Sequence, residues 1–315
     1  DVRRLLGLAE TSLPGLLRRF YRRTRTIHDL YDEQLGPLVG PNALLLDVGC
    51  GQKGIMNKYA GKNRLSVGVD RSVEALGRNK TVDAVFAADA QSLPFRNSSF
   101  DVVISQWLFE HVADPRAAGS EFARVLKPGG HLIIVTNSVF NPIMLSSAIL
   151  PAKLRDRMKK QVFPEEFDED TFPTYYRCNS KRAFKKLVLS LGLTPVCCEY
   201  AGDISIFLFS KWIFSLVALY ELLTDPRPLR CFKMHILTHA RVPGEVPAAD
   251  ADKPRLSGDS RETLLRSLLA CPACREALDT DGNEYSCGAC RRRYPVRNGV
   301  PVLITEEAVN TRATS

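Results

Sequence analysis

Ala43 to Val48 is an apolar run of strand length, and it breaks abruptly on Gly49-Cys50-Gly51. A run that stops on paired glycines reads as a buried strand followed by a tight turn, because glycine enters left-handed backbone conformations at little cost. The pattern then recurs. Leu65 to Val69 is apolar and ends in Asp70, and Ala84 to Ala88 is apolar and ends in Asp89. Phe100 to Ser105 is a fourth such run, and His131 to Thr136 a fifth, after the turn Lys127-Pro128-Gly129-Gly130. Helical patterns fill the intervals, including one after the glycine turn. Strands alternating with helices predict a parallel, doubly wound α/β sheet. A helix over 181–191, a sixth strand from Pro195 to Tyr200 and a seventh from Met234 to Ala240 complete the set.

Gly49-Cys50-Gly51-Gln52-Lys53-Gly54 also satisfies G-x-G-x-x-G between a strand and a helix, the fingerprint of a dinucleotide turn. Asp47 argues against a dinucleotide. A pyrophosphate at this turn is repelled by the carboxylate, whereas S-adenosylmethionine brings an ammonium and a sulfonium that a carboxylate attracts. Asp70 is placed to accept hydrogen bonds from both ribose hydroxyls, and Asp89 to reach the adenine amino group. Three acids ending three successive strands make a ladder along an adenosyl amino acid. The alternative, acids that cap the following helices, accounts for one such residue more easily than for three beside Gly49 and Gly51.

Leu46-Asp47-Val48-Gly49-Cys50-Gly51, Gly68-Val69-Asp70, Ala88-Asp89-Ala90-Gln91-Ser92-Leu93-Pro94-Phe95 and Phe100-Asp101-Val102-Val103-Ile104-Ser105 resemble the successive motifs of class I S-adenosylmethionine-dependent methyltransferases. Glu110-His111-Val112, with Arg124-Val125-Leu126-Lys127-Pro128-Gly129-Gly130, resembles the type 11 group, which includes quinone-biosynthesis methyltransferases. The resemblance covers about residues 40–240 and implies the seven-stranded methyltransferase sheet. It implies that Asp47, Gly49 and Gly51 hold the methionine end, Asp70 the ribose, and Asp89 with Ala90 the adenine, while Ser105 and Gln106 pass beside the sulfonium. Gln52-Lys53 departs mildly from the small residues usual after the second glycine. The leaving group is already activated, so positioning supplies much of the rate. A base is needed only where the acceptor must lose a proton. His111 is the candidate, against the plainer reading of a histidine that bonds backbone. Tyr175, Tyr176 and Arg177 are candidates for the acceptor pocket, against simple packing.

Two stretches break the rhythm. Residues 141–177 read as an insertion, or lid, near the carboxyl end of the sheet, where ligands bind in such folds. Ile204 to Leu223 is very apolar, but Lys211 divides it and Glu221 closes it, so a core or pocket-covering helix, a membrane-surface helix and a span compete. No run of about 18 uncharged apolar residues occurs, so no transmembrane span is expected. Asp1-Val2-Arg3-Arg4 with Glu10 inside the following apolar patch does not read as a cleavable leader. Net charge is +8, and residues 1–25 hold seven arginines (Arg3, Arg4, Arg18, Arg19, Arg22, Arg23, Arg25) against Asp1 and Glu10. Such a basic helix suits a nucleic-acid or anionic-membrane contact, or a solvated surface.

Cys271-Pro272-Ala273-Cys274 and Cys287-Gly288-Ala289-Cys290 carry the spacing of a zinc ribbon, four soft thiolates on two tight turns. With all four positions occupied by cysteine, the zinc is structural. The quartet and five scattered cysteines fit a reducing, cytoplasmic setting, with the protein soluble or peripheral to a membrane. Leu264 to Cys274 and Tyr294 to Leu303 resemble the small zinc-ribbon activator subunit of tRNA, rRNA and release-factor methyltransferases, over about residues 262–308. That resemblance implies a ribbon acting in cis on the preceding domain.

The expected organisation is a basic helical extension over 1–40, a methyltransferase domain over 41–240, a linker over 241–261, the ribbon over 262–308 and a tail over 309–315. The expected function is methyl transfer from S-adenosylmethionine to a small or lipid-like acceptor. RNA is the alternative acceptor, and a scaffold that stabilises other methyltransferases is the alternative role.

Overall fold

The computed structural model describes residues 25–53, 55–141, 173–203, 210–245 and 258–310. The N-terminal arginines other than Arg25, most of the expected insertion, Ile204 to Phe209 and most of the expected linker lie outside the described residues.

Helix α1 (Ile27–Leu35) opens with a capping box: Thr26 Oγ1 accepts from Asp29 N at 3.0 Å, and Asp29 Oδ2 accepts from Thr26 N at 3.0 Å. Its buried face, Ile27, Leu30, Tyr31 and Leu35, packs on Leu45, Ile104, Val135 and Leu237 of the sheet. The strands are β1 (Leu44–Val48), β2 (Leu65–Asp70), β3 (Ala84–Ala87), β4 (Phe100–Gln106), β5 (Leu126–Asn137), β6 (Thr194–Ala201) and β7 (His235–Arg241). Their order is β3-β2-β1-β4-β5-β7-β6. The order reverses at β1, which lies between β2 and β4 and pairs in parallel with both, so a ligand crevice opens beyond the carboxyl ends of β1 and β4.

Helices α2 (Val73–Arg78), α3 (Pro115–Val125) and α4 (Lys181–Ser190) connect strands. The helix expected after the glycine turn is a 3-10 turn over Ile55–Tyr59, stopped by Gly61 at φ 71°. The sheet is mixed rather than all parallel, because β7 runs antiparallel to both β5 and β6. After β6 the chain re-enters the sheet from the same edge, so the next strand must run backwards. Helix α5 (Lys211–Leu223) lies in that connection, buries Phe214, Val217 and Ala218, and exposes Trp212, Leu216 and Leu223. No helix among the described residues is long and apolar enough to cross a membrane.

The C-terminal unit begins with α6 (Gly258–Leu268), which straddles the expected boundary at 262, and continues as β8 (Asp279–Thr280), β9 (Glu284–Ser286), β10 (Arg292–Arg297) and β11 (Val300–Pro301). Val309–Asn310, at the start of the expected tail, pairs with β10 as β12. This unit is docked on the free edge of the large sheet. Val302 pairs beside Ala87 in parallel, and Leu303 N donates to Ala87 O at 2.7 Å. Ala270 N donates to Pro94 O at 3.0 Å and Arg96 N to Leu268 O at 2.8 Å. An edge that would otherwise invite aggregation is thereby covered. The two units share one hydrophobic core, in which Phe86 meets Phe95 and Tyr285 edge-on.

Candidate functional site

Gly49 and Gly51 have φ of 81° and 49°, and a Cβ at Gly49 would stand 3.1 Å from Leu108 Cβ. The turn is fixed from several sides. Gly49 N and Cys50 N both donate to Val69 O, at 2.7 and 3.1 Å. Gly51 N donates to Asp70 Oδ2 at 2.9 Å, and Asn79 Nδ2 donates to Gly51 O at 2.7 Å. Asn79 was invisible to motif reading, because it follows a short helix with no diagnostic spacing. Asp70 Oδ1 accepts from Ser72 N at 3.0 Å, yet α2 is capped by Ser72, whose Oγ accepts from Ala75 N at 3.2 Å. Asp89 precedes no helix; its Oδ1 accepts from Gln91 N at 2.8 Å and its Oδ2 lies 3.5 Å from Arg71. Capping therefore explains neither acid.

Asp47 is 4% exposed, and burial, reinforced by Asp70, pushes its carboxyl up to about 7. Tyr31 of α1 is buried close enough for Asp47 to push its phenol upward, after burial itself. Its hydroxyl has no partner among the described residues, and neither has the buried Ser105 Oγ, which lies beside Val48 in register. Gln106 is half-buried at the end of β4, and Ala90 half-buried after Asp89. A buried carboxylate with no cation beside it among the described residues, and with the orphaned Tyr31 hydroxyl nearby, fits a cationic guest and opposes an anionic one. Cys50 is buried with its thiol pushed well up, so it is not a nucleophile.

On the other side of β4 a second polar group assembles. Glu110 is 3% exposed; its carboxylate accepts from Thr136 Oγ1 and, at 2.8 Å, from Asn137 Nδ2. Asn179 Nδ2 donates to Thr136 Oγ1 at 2.8 Å. Burial raises the Glu110 carboxyl. His111, next to it, has Nδ1 3.2 Å from Pro173 O. Tyr175 N donates to the backbone carbonyl of Glu110 at 2.7 Å, which sets this segment beside the network. Tyr175 and Arg177 are exposed, with the guanidinium over the ring at 5.4 Å, and Arg177 Nη1 donates to Ala113 O at 2.7 Å. Tyr176 is half-buried at φ 49°. Four residues that sequence reasoning missed gather at the same edge: Trp107, His235, Asp203 and His28.

The four ribbon sulfurs lie within 4.8 Å of one another, with Cys271 Sγ 3.6 Å from Cys290 Sγ and Cys274 Sγ 3.4 Å from Cys287 Sγ. These distances exceed a disulfide bond and suit a tetrahedron with metal–sulfur bonds of about 2.3 Å. The residues after each pair, Arg275 and Arg291, have φ of 70° and 57°, which turns the chain back around the sulfurs. The donor set fits one structural zinc with all four positions filled by protein.

Residues 46–134 match the family model described as "Methyltransferase domain", and residues 262–299 the one described as "Trm112p-like protein". The demethylmenaquinone methyltransferase of Renibacterium salmoninarum is 35% identical over 107 residues, covering 32% of this chain and 45% of that protein. A tRNA (carboxymethyluridine(34)-5-O)-methyltransferase of Xenopus tropicalis is 33% identical over 132 residues, covering 34% of this chain and 20% of that protein. The chain thus spans about half, or less, of the length of these relatives. Among solved structures, a complex containing the Haloferax volcanii Trm112 methyltransferase activator is similar at 19% identity and a TM-score of 0.44, covering 74% of this chain and 94% of that one. The chain joins, in sequence order, a methyltransferase domain and a Trm112p-like domain.

Proposed function

We propose that this chain is an S-adenosylmethionine-dependent methyltransferase that acts on a small or lipid-like acceptor and carries its zinc ribbon as a stabilising module in cis. The observation that carries this reading is Asp47, a buried carboxylate beside Asp70 with no cation to neutralise it among the described residues. When bound, the donor supplies a methyl group on a sulfonium, activated for in-line displacement. Asp47 and the Gly49–Gly51 turn hold its amino-acid end, Asp70 the ribose, and Asp89 with Ala90 the adenine. Ser105 and Gln106 flank the reacting centre. Glu110, through Thr136 and Asn137, fixes the ends of β4 and β5 against each other. His111 and the Tyr175–Arg177 segment close the outer side of that network.

An apolar acceptor is supported by the exposed Trp212, Leu216 and Leu223 of α5, which lies at the same edge of the sheet. The named relative from Renibacterium, a demethylmenaquinone methyltransferase, supports it as well. An RNA acceptor draws on the Xenopus relative. Of the ribbon arginines, however, Arg293 pairs with Glu284 and Arg297 with Glu307, which offsets part of the basic charge there. A scaffold role is opposed by the docking itself, since the ribbon edge is occupied by β3 of its own chain.

The test is calorimetric binding of S-adenosylmethionine, followed by transfer of labelled methyl into fractionated lysate. Binding abolished in Asp70→Ala, with label in the organic-soluble fraction, is the expected result. Label in RNA alone overturns the acceptor class, and no binding overturns the enzyme reading.

A further inference from the structure

Trp107 directly follows β4, at the carboxyl edge where the crevice opens, and has φ 54°, a left-handed conformation that strains a bulky side chain. A hydrogen bond from Trp107 N to Val135 O, 2.9 Å, holds it there. Its indole is 38% exposed, and the ring of His235 stands against it at 4.6 Å between centroids, inclined by 63°. His235 begins β7, paired in register with Asn137 of β5 on one side and Ala201 of β6 on the other. It is 7% exposed, its Nδ1 is buried without a partner among the described residues, and the Oδ1 of neighbouring Asn137 is equally orphaned.

Two residues beyond Ala201, Asp203 Oδ2 lies 3.0 Å from Nε2 of His28, which α1 carries to this edge. The placement is built by the backbone, since Ile27 N donates to Gly202 O at 3.1 Å. Strain at an exposed aromatic, two orphaned buried polar atoms and an Asp–His pair coincide at the ligand end of the sheet. The glycine turn and its acids use none of them.

We propose that Trp107, held in place by His235, forms the platform for the methyl acceptor, that the acceptor is a planar ring bearing a hydroxyl, and that His28, oriented by Asp203, takes the hydroxyl proton. This rests on the methyltransferase reading above. A flat indole presented at a ligand cleft favours stacking with another flat ring. An imidazole bonded to a carboxylate through one nitrogen is oriented to accept a proton at the other. In the reaction the hydroxyl oxygen bonds to the methyl carbon, and the carbon–sulfur bond breaks with its electron pair going to sulfur. The hydroxyl proton passes to His28. The products are a methyl ether and S-adenosylhomocysteine, and the imidazolium, 59% exposed, returns its proton to water. Asp203 and His235 are positioning residues.

The test uses the full chain with Trp212→Phe, which leaves Trp107 as the only tryptophan of the two. The non-transferable ring 1,4-naphthoquinone should quench its fluorescence saturably, and His235→Ala should weaken that binding several-fold. With 1,4-dihydroxynaphthalene under nitrogen and labelled donor, His28→Asn should lower kcat by about 100-fold or more while KM stays nearly unchanged. Asp203→Asn should do the same in smaller measure, and Trp107→Leu should raise KM by up to about tenfold. Calorimetric binding of S-adenosylmethionine controls for folding in every variant. Normal donor binding without saturable quenching overturns the platform and leaves the enzyme reading standing. A kcat lost in His111→Gln and kept in His28→Asn overturns the proton route, and absent donor binding in the parent chain removes the reading beneath both.

Discussion

Arg275, the residue immediately after the second zinc-ribbon cysteine, places Nη2 3.0 Å from Glu121 Oε2 on helix α3 of the other domain. Glu121 is 8% exposed and serves several partners at once. It also pairs with Arg124 at 2.8 Å and accepts from Leu93 N at 2.8 Å, while Arg275 Nη1 donates to Leu93 O at 2.7 Å. The metal knuckle and the domain interface thus share one residue. Removing one partner of a buried ionic network leaves the others unpaired, at a cost of about 3 kcal/mol. Glu121→Gln should therefore lower the melting temperature by several degrees, seen by calorimetric unfolding. A change of less than about 1 °C would mean that solvent already screens the cluster.

Metal removal should act on solubility before catalysis. The ribbon strands are short, so the zinc supplies much of their folding energy. Losing the ribbon would uncover the β3 edge together with Phe86 and Phe95, which are buried at the shared core. One zinc per chain is expected by mass spectrometry, and Cys271→Ser should precipitate. A soluble, metal-free Cys271→Ser protein with a normal melting curve and no activity would contradict a structural role.

Much of this arrangement is legible in the amino-acid sequence. Each sheet strand was placed to within a residue or two, β5 excepted at its start, because runs such as Leu44–Val48 are buried along their whole length and read as unbroken apolar stretches. The acids of the glycine turn could be found because each ends its own strand within one stretch of chain. The direction of β7 could not be read, since strand patterning carries no sign of orientation. Trp107, His235, Asp203 and His28 were hidden for a related reason. They sit on four separate segments, and only the order β4-β5-β7-β6, with α1 laid across it, makes them neighbours. The four cysteines announced a metal, but nothing in their spacing announced the surface the ribbon would cover.

Donor affinity should depend on pH through Asp47. Its folded pKa, about 7, is raised above the ordinary value of 3.8, chiefly by burial. The contribution of this group to stability is therefore fully present below about pH 4 and is lost as pH rises through 7. Ionised Asp47 is a strained species in the unliganded protein, and a bound cation relieves it. The stabilisation conferred by S-adenosylmethionine should consequently grow from pH 6 to pH 8, read as the ligand-induced shift in melting temperature. The donor's own titration is common to both proteins, so the comparison with Asp47→Asn isolates the carboxylate. Equal pH dependence in the two would remove Asp47 from the account.

Docking and metal folding can be separated at one backbone atom. Leu303 N donates to Ala87 O at 2.7 Å, and Leu303 lies thirteen residues beyond the last zinc ligand. Leu303→Pro deletes that donor and wedges a ring against the β3 edge, while all four cysteines stay in place. The ribbon should then keep its zinc but release the edge, so metal content remains at one per chain while the melting temperature falls and limited proteolysis cuts between the domains. Loss of zinc in parallel with undocking would show that the ribbon folds only on its partner surface. In that case the large sheet would be a template for the metal site, and the effect of Cys271→Ser would have to be read as loss of docking and loss of metal together.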